Sequence, residues 1–241
     1  MTEQSPLALQ DFRAVETWIF DLDNTLYPPS SALFSQIDAK MGGFISQYLD
    51  VAPDRAREIQ KHYYRTYGTT LRGLMIEHGM DPHAFLDHVH DIDHSAIAPN
   101  DALAEAIAGL PGQKFIFTNG SRRHAENVSG RLGIAHLFDD MFDIVAADFV
   151  PKPDPKPYER FMTVTAADPA SSAMFEDLSR NLAVPHQMGM LTVLVTGPEG
   201  HAGSADRAAW ETAGKDDEHV AHRTDDLAGF LSDVLLTLAA D

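Results

Sequence analysis

Apolar positions along the chain fall into two rhythms. Between Pro28 and Pro99 they recur every three or four residues, the spacing of one helix face. Leu33, Ile37, Met41, Phe44, Ile45 and Tyr48 predict a first helix. Pro53-Asp54 opens a second, with Ile59, Tyr63 and Tyr67 on one side and Gly68 closing it. A third spans 70–78 and stops at Gly79. Asp81-Pro82 pairs an N-cap with proline at the first helical position, starting a fourth through Phe85, Leu86 and Val89. No strand is predicted in this block.

On either side the rhythm is different. Short, mostly apolar segments at 18–20, 114–117, 142–145, 173–175 and 192–195 read as buried strands, and a segment near Val220 reads as an edge strand. Helical stretches alternate with them: 101–107, a Ser121-capped helix to Leu132, 155–165, 180–188, and a last one capped by Thr224 with Leu227, Phe230, Leu231, Val234 and Leu235 in its stripe. Strands alternating with helices predict an α/β fold, a Rossmann-like doubly wound parallel sheet. A compact domain rarely carries a loop beyond ~15 residues without structure of its own, so the helical block is an insertion. The expected division is a core of residues 1–27 and 100–241 with an all-helical insert at 28–99. The Gly- and acid-rich stretch 197–218 is expected to be a surface excursion.

Composition narrows the partners. Hydrophobic residues make up 44% and charged ones 22% of the 241, ordinary for a globular protein with a sizeable core. The formal charge is −18, from 36 acids against 18 Lys plus Arg, which repels nucleic-acid backbones and argues against a polymeric DNA or RNA partner. No apolar run approaches the ~20 residues of a bilayer span, so no membrane partner is expected. The start of the chain has no signal-peptide pattern. The absence of cysteine excludes disulfides and thiolate metal sites and fits a cytoplasmic location, which is the one expected. Neither monomer nor homodimer is favoured.

Candidate chemistry gathers at the predicted strand ends. The first strand runs into Asp21-Leu22-Asp23-Asn24-Thr25, the second into Thr118-Asn119-Gly120, the fourth into Glu176-Asp177. In parallel sheets ligands collect beyond the carboxyl ends of the strands. Residues two apart on extended chain point the same way, so Asp21 and Asp23 can converge as nucleophile and acid/base partner. Acids from two strands make an oxygen-rich cage suited to Mg²⁺. A Thr hydroxyl with a following backbone N–H can hold phosphoryl oxygens, and Lys152, in Val150-Pro151-Lys152-Pro153-Asp154, can neutralise carboxylate and phosphate together. Phosphoryl transfer needs chiefly that positioning and neutralisation.

Four segments in order, Phe20-Asp21-Leu22-Asp23-Asn24-Thr25-Leu26-Tyr27, Phe117-Thr118-Asn119-Gly120, Lys152-Pro153 and Phe175-Glu176-Asp177, resemble the motifs of haloacid dehalogenase superfamily phosphohydrolases. The resemblance implies a small phosphomonoester substrate and an aspartyl-phosphate mechanism. Asp21 would attack phosphorus; Asp23 would protonate the leaving oxygen and then activate water. Asp21, the Asp23 carbonyl and Asp177, with Glu176 beside them, would hold Mg²⁺. Thr118 and the Asn119 amide would grip the phosphate, and Lys152 would steady the intermediate. The insert resembles the family's cap. Asp23 to Pro28, the stretch 67–74, Ser121 with His124, and 175–181 resemble the pyrimidine 5′-nucleotidase branch, although Glu176 and Leu178 depart from its common Asp and Ser. That branch implies hydrolysis of UMP or CMP. Sugar-phosphate phosphatase or mutase activity is the nearest alternative, ahead of dehalogenation or a binding protein without turnover.

Other residues invite a role with a plainer reading beside it. His90 and His94 are four apart, a zinc spacing if helical, but solvated histidines at a helix end are the default. Tyr63, Tyr67 and Arg72 would reach a base or ribose if they did not simply pack helices. Lys156 rivals Lys152 as the cation. His124, Arg122 and Arg123 are expected on a solvent face.

Overall fold

The computed structural model describes residues 6–31, 33–197 and 217–240. Its strands form one six-stranded parallel sheet, built from β1 (Thr17–Phe20), β2 (Gln113–Phe117), β3 (Asp140–Phe142), β4 (Ser172–Glu176), β5 (Leu191–Val195) and β6 (His222–Thr224). The spatial order is β3-β2-β1-β4-β5-β6. The order reverses direction on either side of β1, the switch point at which doubly wound sheets open a crevice. β1 pairs with both β2 and β4 and is buried along its whole length.

Alternation along the strands divides the core in two. Trp18, Phe20, Phe175 and Val193 face one layer, with Phe12, α5 (Asp101–Gly109), α6 (Arg122–Leu132) and α9 (Leu227–Leu238). Phe20 and Phe175 stack there with centroids 4.7 Å apart. Ile19, Phe115, Phe117 and Met174 face the other layer, where α7 (Pro155–Thr165) and α8 (Ser179–Met188) supply Tyr158, Phe161 and Leu182. Each such fully buried side chain contributes on the order of 1.5–3 kcal/mol of transfer free energy.

Between β1 and β2 lie α1 (Leu33–Leu49), α2 (Pro53–Tyr67), α3 (Thr70–His78) and α4 (Pro82–Val89). They close around their own apolar centre of Ile37, Ile45, Tyr63, Leu74, Phe85 and Val89, which Ile144 of the core also joins. Thr69 and Asp81 cap α3 and α4. The insert also meets the core where the Arg180 guanidinium lies 5.0 Å over the Tyr64 ring and where Arg72 donates to the Phe149 carbonyl at 3.4 Å.

Three expectations shift. The third strand is Asp140–Phe142, not 142–145, because Phe142 is the last residue paired with β2. The carboxylate of Asp143 then turns the chain by accepting from the Arg122 and Ala146 amides, at 2.8 and 2.9 Å. The cap of α9 is Asp226, which accepts from Gly229 N at 3.1 Å, whereas Thr224 ends β6. The edge strand expected near Val220 starts at His222. Most of the 197–218 excursion lies outside the described residues. Among the described residues no helix is long and apolar enough to cross a membrane.

Candidate active site

The turn after β1 is shaped by its own sequence. Asp21 N donates to the Phe175 carbonyl at 2.9 Å, the last rung toward β4. Asn24 then takes the left-handed conformation (φ 63°) that asparagine tolerates better than most residues, and Leu26 N returns to the Leu22 carbonyl at 3.1 Å. That closure brings the Thr25 hydroxyl to donate to Asp21 Oδ2 at 3.2 Å. Tyr27, four residues past Asp23, donates to Asp23 Oδ1 at 2.5 Å. One short run thus fixes both carboxylates.

β2 ends in a second turn. The Thr118 oxygen accepts from Gly120 N at 2.9 Å, and Ser121 caps α6 by accepting from His124 N. A Cβ on Gly120 would stand 3.2 Å from Thr118 Oγ1 and 3.7 Å from Asp23 Oδ2, so glycine keeps the space above both open. The Asn119 side chain clasps the backbone of Lys152, accepting from its N–H at 2.9 Å and donating to its carbonyl at 3.3 Å. Lys152 is almost completely buried, and its Nζ lies 2.8 Å from Asp21 Oδ1, 2.9 Å from Glu176 Oε1 and 2.7 Å from the Phe117 carbonyl. The ammonium therefore ties together the ends of β1, β2 and β4.

At the end of β4 both oxygens of Glu176 are engaged. Oε1 accepts from Asn181 Nδ2 at 2.7 Å and meets Lys152, while Oε2 accepts from Leu178 N at 2.9 Å. Asp177 is buried beside it. Asp21, Glu176 and Asp177 each offer an oxygen, all within 4.8 Å of one another. When ionised, these three carboxylates and one ammonium sum to −2, and their donors are hard oxygens. Both features suit a small divalent cation such as Mg²⁺.

The electrostatics follow from this crowding. Burial pushes the Asp21 carboxyl up to about 7, against the pull of Lys152 and with the push of Glu176. Burial alone would lower the Lys152 ammonium, yet Asp21 and Glu176 hold it above its usual range. Burial alone would raise Asp23, but His124 facing it and the Tyr27 hydroxyl bring it down to about 2. Asp23 is therefore held in its ionised form.

The structure brings together Asp21, Glu176, Asp177 and Lys152, with Asp23, Thr118 and Asn119 on the two adjoining turns. It does not bring in Lys156, which is exposed on α7. Tyr63 meets His78 at 2.8 Å, and Tyr67 donates to Glu77, so these tyrosines pack α2 on α3. α4 ends at Val89, so His90 and His94 do not share a helix face. Both rings instead lie against His124, at centroid distances of 4.5 and 5.7 Å. His124 itself was expected in solvent; it is fully buried, with Nε2 2.8 Å from Asp23 Oδ1. Its partner lies about a hundred residues away in sequence, and its place four residues past the Thr118-Asn119-Gly120 turn, near Ser121, was the hint of a role there.

These features define a Rossmann-like α/β protein with an acid-rich site at the switch point of its sheet. A model of the haloacid dehalogenase-like hydrolases matches residues 15–189, and the chain belongs to that hydrolase family. Among curated proteins it is similar to Phosphate metabolism protein 8 of Saccharomyces cerevisiae, 28% identical over 194 residues that cover 73% of this chain and 60% of that one. The chain thus spans less than two thirds of that relative's length. Similar solved structures include L-2-haloacid dehalogenase from Xanthobacter autotrophicus, with TM-score 0.56, 18% identity, and coverage of 90% of this chain and 97% of that one. The HAD phosphatase from Thermococcus onnurineus gives TM-score 0.57 at 14% identity, with the same coverages of 90% and 97%. At such identities the two structures speak to fold alone.

Proposed function

We propose that the protein is a Mg²⁺-dependent phosphatase that works through an aspartyl-phosphate on Asp21 and hydrolyses pyrimidine nucleoside 5′-monophosphates such as UMP and CMP. The observation that carries this reading is the buried Lys152 ammonium bridging Asp21 and Glu176, with a second carboxylate, Asp23, two residues on. A dehalogenase needs the nucleophile but has no chemical use for that second acid.

In this reading an Asp21 oxygen bonds to phosphorus as the bond to the nucleoside oxygen breaks. Asp23 gives its proton to the departing alkoxide; the incoming phosphate dianion raises its affinity for that proton beforehand. Asp23, again a carboxylate, then takes a proton from water as that water attacks phosphorus and releases Asp21. Thr118 and the Asn119 amide hold phosphate oxygens while Lys152 offsets charge throughout. Mg²⁺, held by Asp21, the Asp23 carbonyl and Asp177, would neutralise the phosphoryl oxygens. Glu176 would stand beside such an ion, but with both oxygens committed its chief part is to hold Lys152. The helical insert acts as the cap that excludes water and selects the substrate.

The nucleotide assignment rests on the motif resemblance, and the yeast relative named for phosphate metabolism agrees with phosphate chemistry. Purified protein should release phosphate from UMP and CMP with Mg²⁺ and lose that activity with a chelator. Asp21→Asn should abolish turnover while leaving the circular dichroism spectrum unchanged. Sugar phosphates turned over equally well or better, with no nucleotide activity, would overturn the substrate class. Near-normal kcat in Asp21→Asn would overturn the nucleophile.

A further inference from the structure

The donors on Asp23 are arranged unevenly. The Tyr27 hydroxyl and the His124 ring both reach Oδ1, at 2.5 and 2.8 Å. Oδ2 takes neither of these bonds and lies 3.7 Å from where a Cβ on Gly120 would stand, beside the Thr118 hydroxyl. A carboxylate pinned by one oxygen and presenting the other is a proton carrier with fixed aim.

What fixes His124 comes partly from outside the core. Its ring lies on the ring of His90, with centroids 4.5 Å apart and planes 9° from parallel. His90 is the residue that ends α4 in the helical insert, and its Nδ1 is 2.8 Å from Ser121 Oγ, the same oxygen that caps α6 at the His124 amide. His90 thus touches both the ring and the helix cap of His124. His94 approaches the same ring at 5.7 Å.

We propose that His124 is a positioning residue for Asp23, braced by His90, so that the acid–base arm is complete only while the insert is seated on the core. The proposal rests on the phosphatase reading above. It assigns the insert a part in proton transfer in addition to covering the site.

Leaving-group dependence tests it. Protonation of the departing oxygen matters greatly for a nucleoside alkoxide and little for 2,4-dinitrophenolate. Values of kcat/KM, which report the phosphorylation of Asp21, would be measured for UMP and 2,4-dinitrophenyl phosphate. In His124→Phe the ratio of the two should shift against UMP by on the order of 10²-fold, the lower end of what a positioned proton donor contributes. His124→Gln, whose Nε2 can reach Asp23 from nearly the same place, should recover most of that loss. His90→Ala, which leaves the Asp23 hydrogen bonds in place, should shift the ratio the same way by about three- to tenfold. Should His124→Phe fail to fold, His124→Gln and His90→Ala decide the matter together. Equal losses on both substrates, or an unchanged ratio in His90→Ala, would overturn the proposal while leaving the phosphatase reading intact. A wild-type protein that cleaves neither substrate would sink that reading, and this inference with it.

Discussion

Lys152 shows how much one side chain can hold. Its ammonium is buried against two carboxylates and a strand-end carbonyl, and Asn119 clasps its backbone on both sides. Lys152→Met keeps the length and removes the charge, leaving Asp21 and Glu176 facing each other without a cation between them. Removing one partner of a buried ion pair typically costs about 3–5 kcal/mol. The variant should therefore unfold at clearly lower urea, and turnover in the proposed phosphatase reaction should fall by at least ~10²-fold. Added Mg²⁺ should restore part of the stability, since a divalent cation would bind the same oxygens. A variant as stable as the parent would mean that Lys152 is not the charge that balances this cluster.

The residue scale also shows what sequence made legible. Asp21, Glu176 and Lys152 were readable because each sits at a strand end or the following loop, and a parallel sheet gathers such ends. His124 was not readable. Its contacts are with an Asp about a hundred residues earlier and with a ring from the insert, and a helix-start histidine looks the same in sequence whether it faces solvent or a carboxylate. Tyr27 stands in the first motif, but its hold on Asp23 four residues back forms only once the turn is folded.

At the scale of elements, proline and glycine punctuation placed the helices of the insert well, with Gly68 and Gly79 closing α2 and α3 as expected. The misplacements have a common cause. Apolar residues continue past Asp143 as Ile144-Val145, so hydropathy alone does not say that pairing stops at Phe142; Asp143 sets that limit by giving its carboxylate to α6. Thr224 and Asp226 are both good capping types, and only the geometry of β6 selects the second. Periodicity is equally mute on how closely two helices approach. A Cβ added to Gly73 would stand 2.4 Å from the Tyr63 Cβ, so α3 crosses α2 at a distance only glycine allows. Gly73→Ala should push the two apart and cost about 1–3 kcal/mol despite alanine's better helix propensity. If thermal unfolding instead showed a gain, the close crossing would not be a real constraint.

Across the whole molecule, two acid-dependent effects oppose each other. The chain carries −18 at neutral pH and twelve histidines, so protonating exposed histidines relieves self-repulsion and favours the folded state on mild acidification. Buried histidines work the other way. Burial, aided by His124, lowers His90 to about 3 from 6.5. His222, set among Phe12 and Phe230 where the chain's two ends meet the sheet edge, is also lowered by burial. Below pH 6.5 the unfolded chain binds protons at these sites that the folded chain refuses, so their contribution to stability is lost as pH falls toward the folded values. For His90 the loss by pH 5 is about 2 kcal/mol. Salt separates the two effects, since at about 0.5 M NaCl surface repulsion is screened while burial is not. In that salt the histidine losses stand against Asp21, whose folded carboxyl at about 7 takes up a proton that the unfolded chain leaves in water. The test is therefore differential: between pH 7 and pH 5, His222→Phe and His90→Gln should each lose less melting temperature, or gain more, than the parent. A slope that both substitutions leave unchanged would place the acid sensitivity elsewhere. Because His90 joins the insert to the core and His222 joins the chain ends to the sheet, different flattening in the two variants would show which of the two junctions opens first in acid.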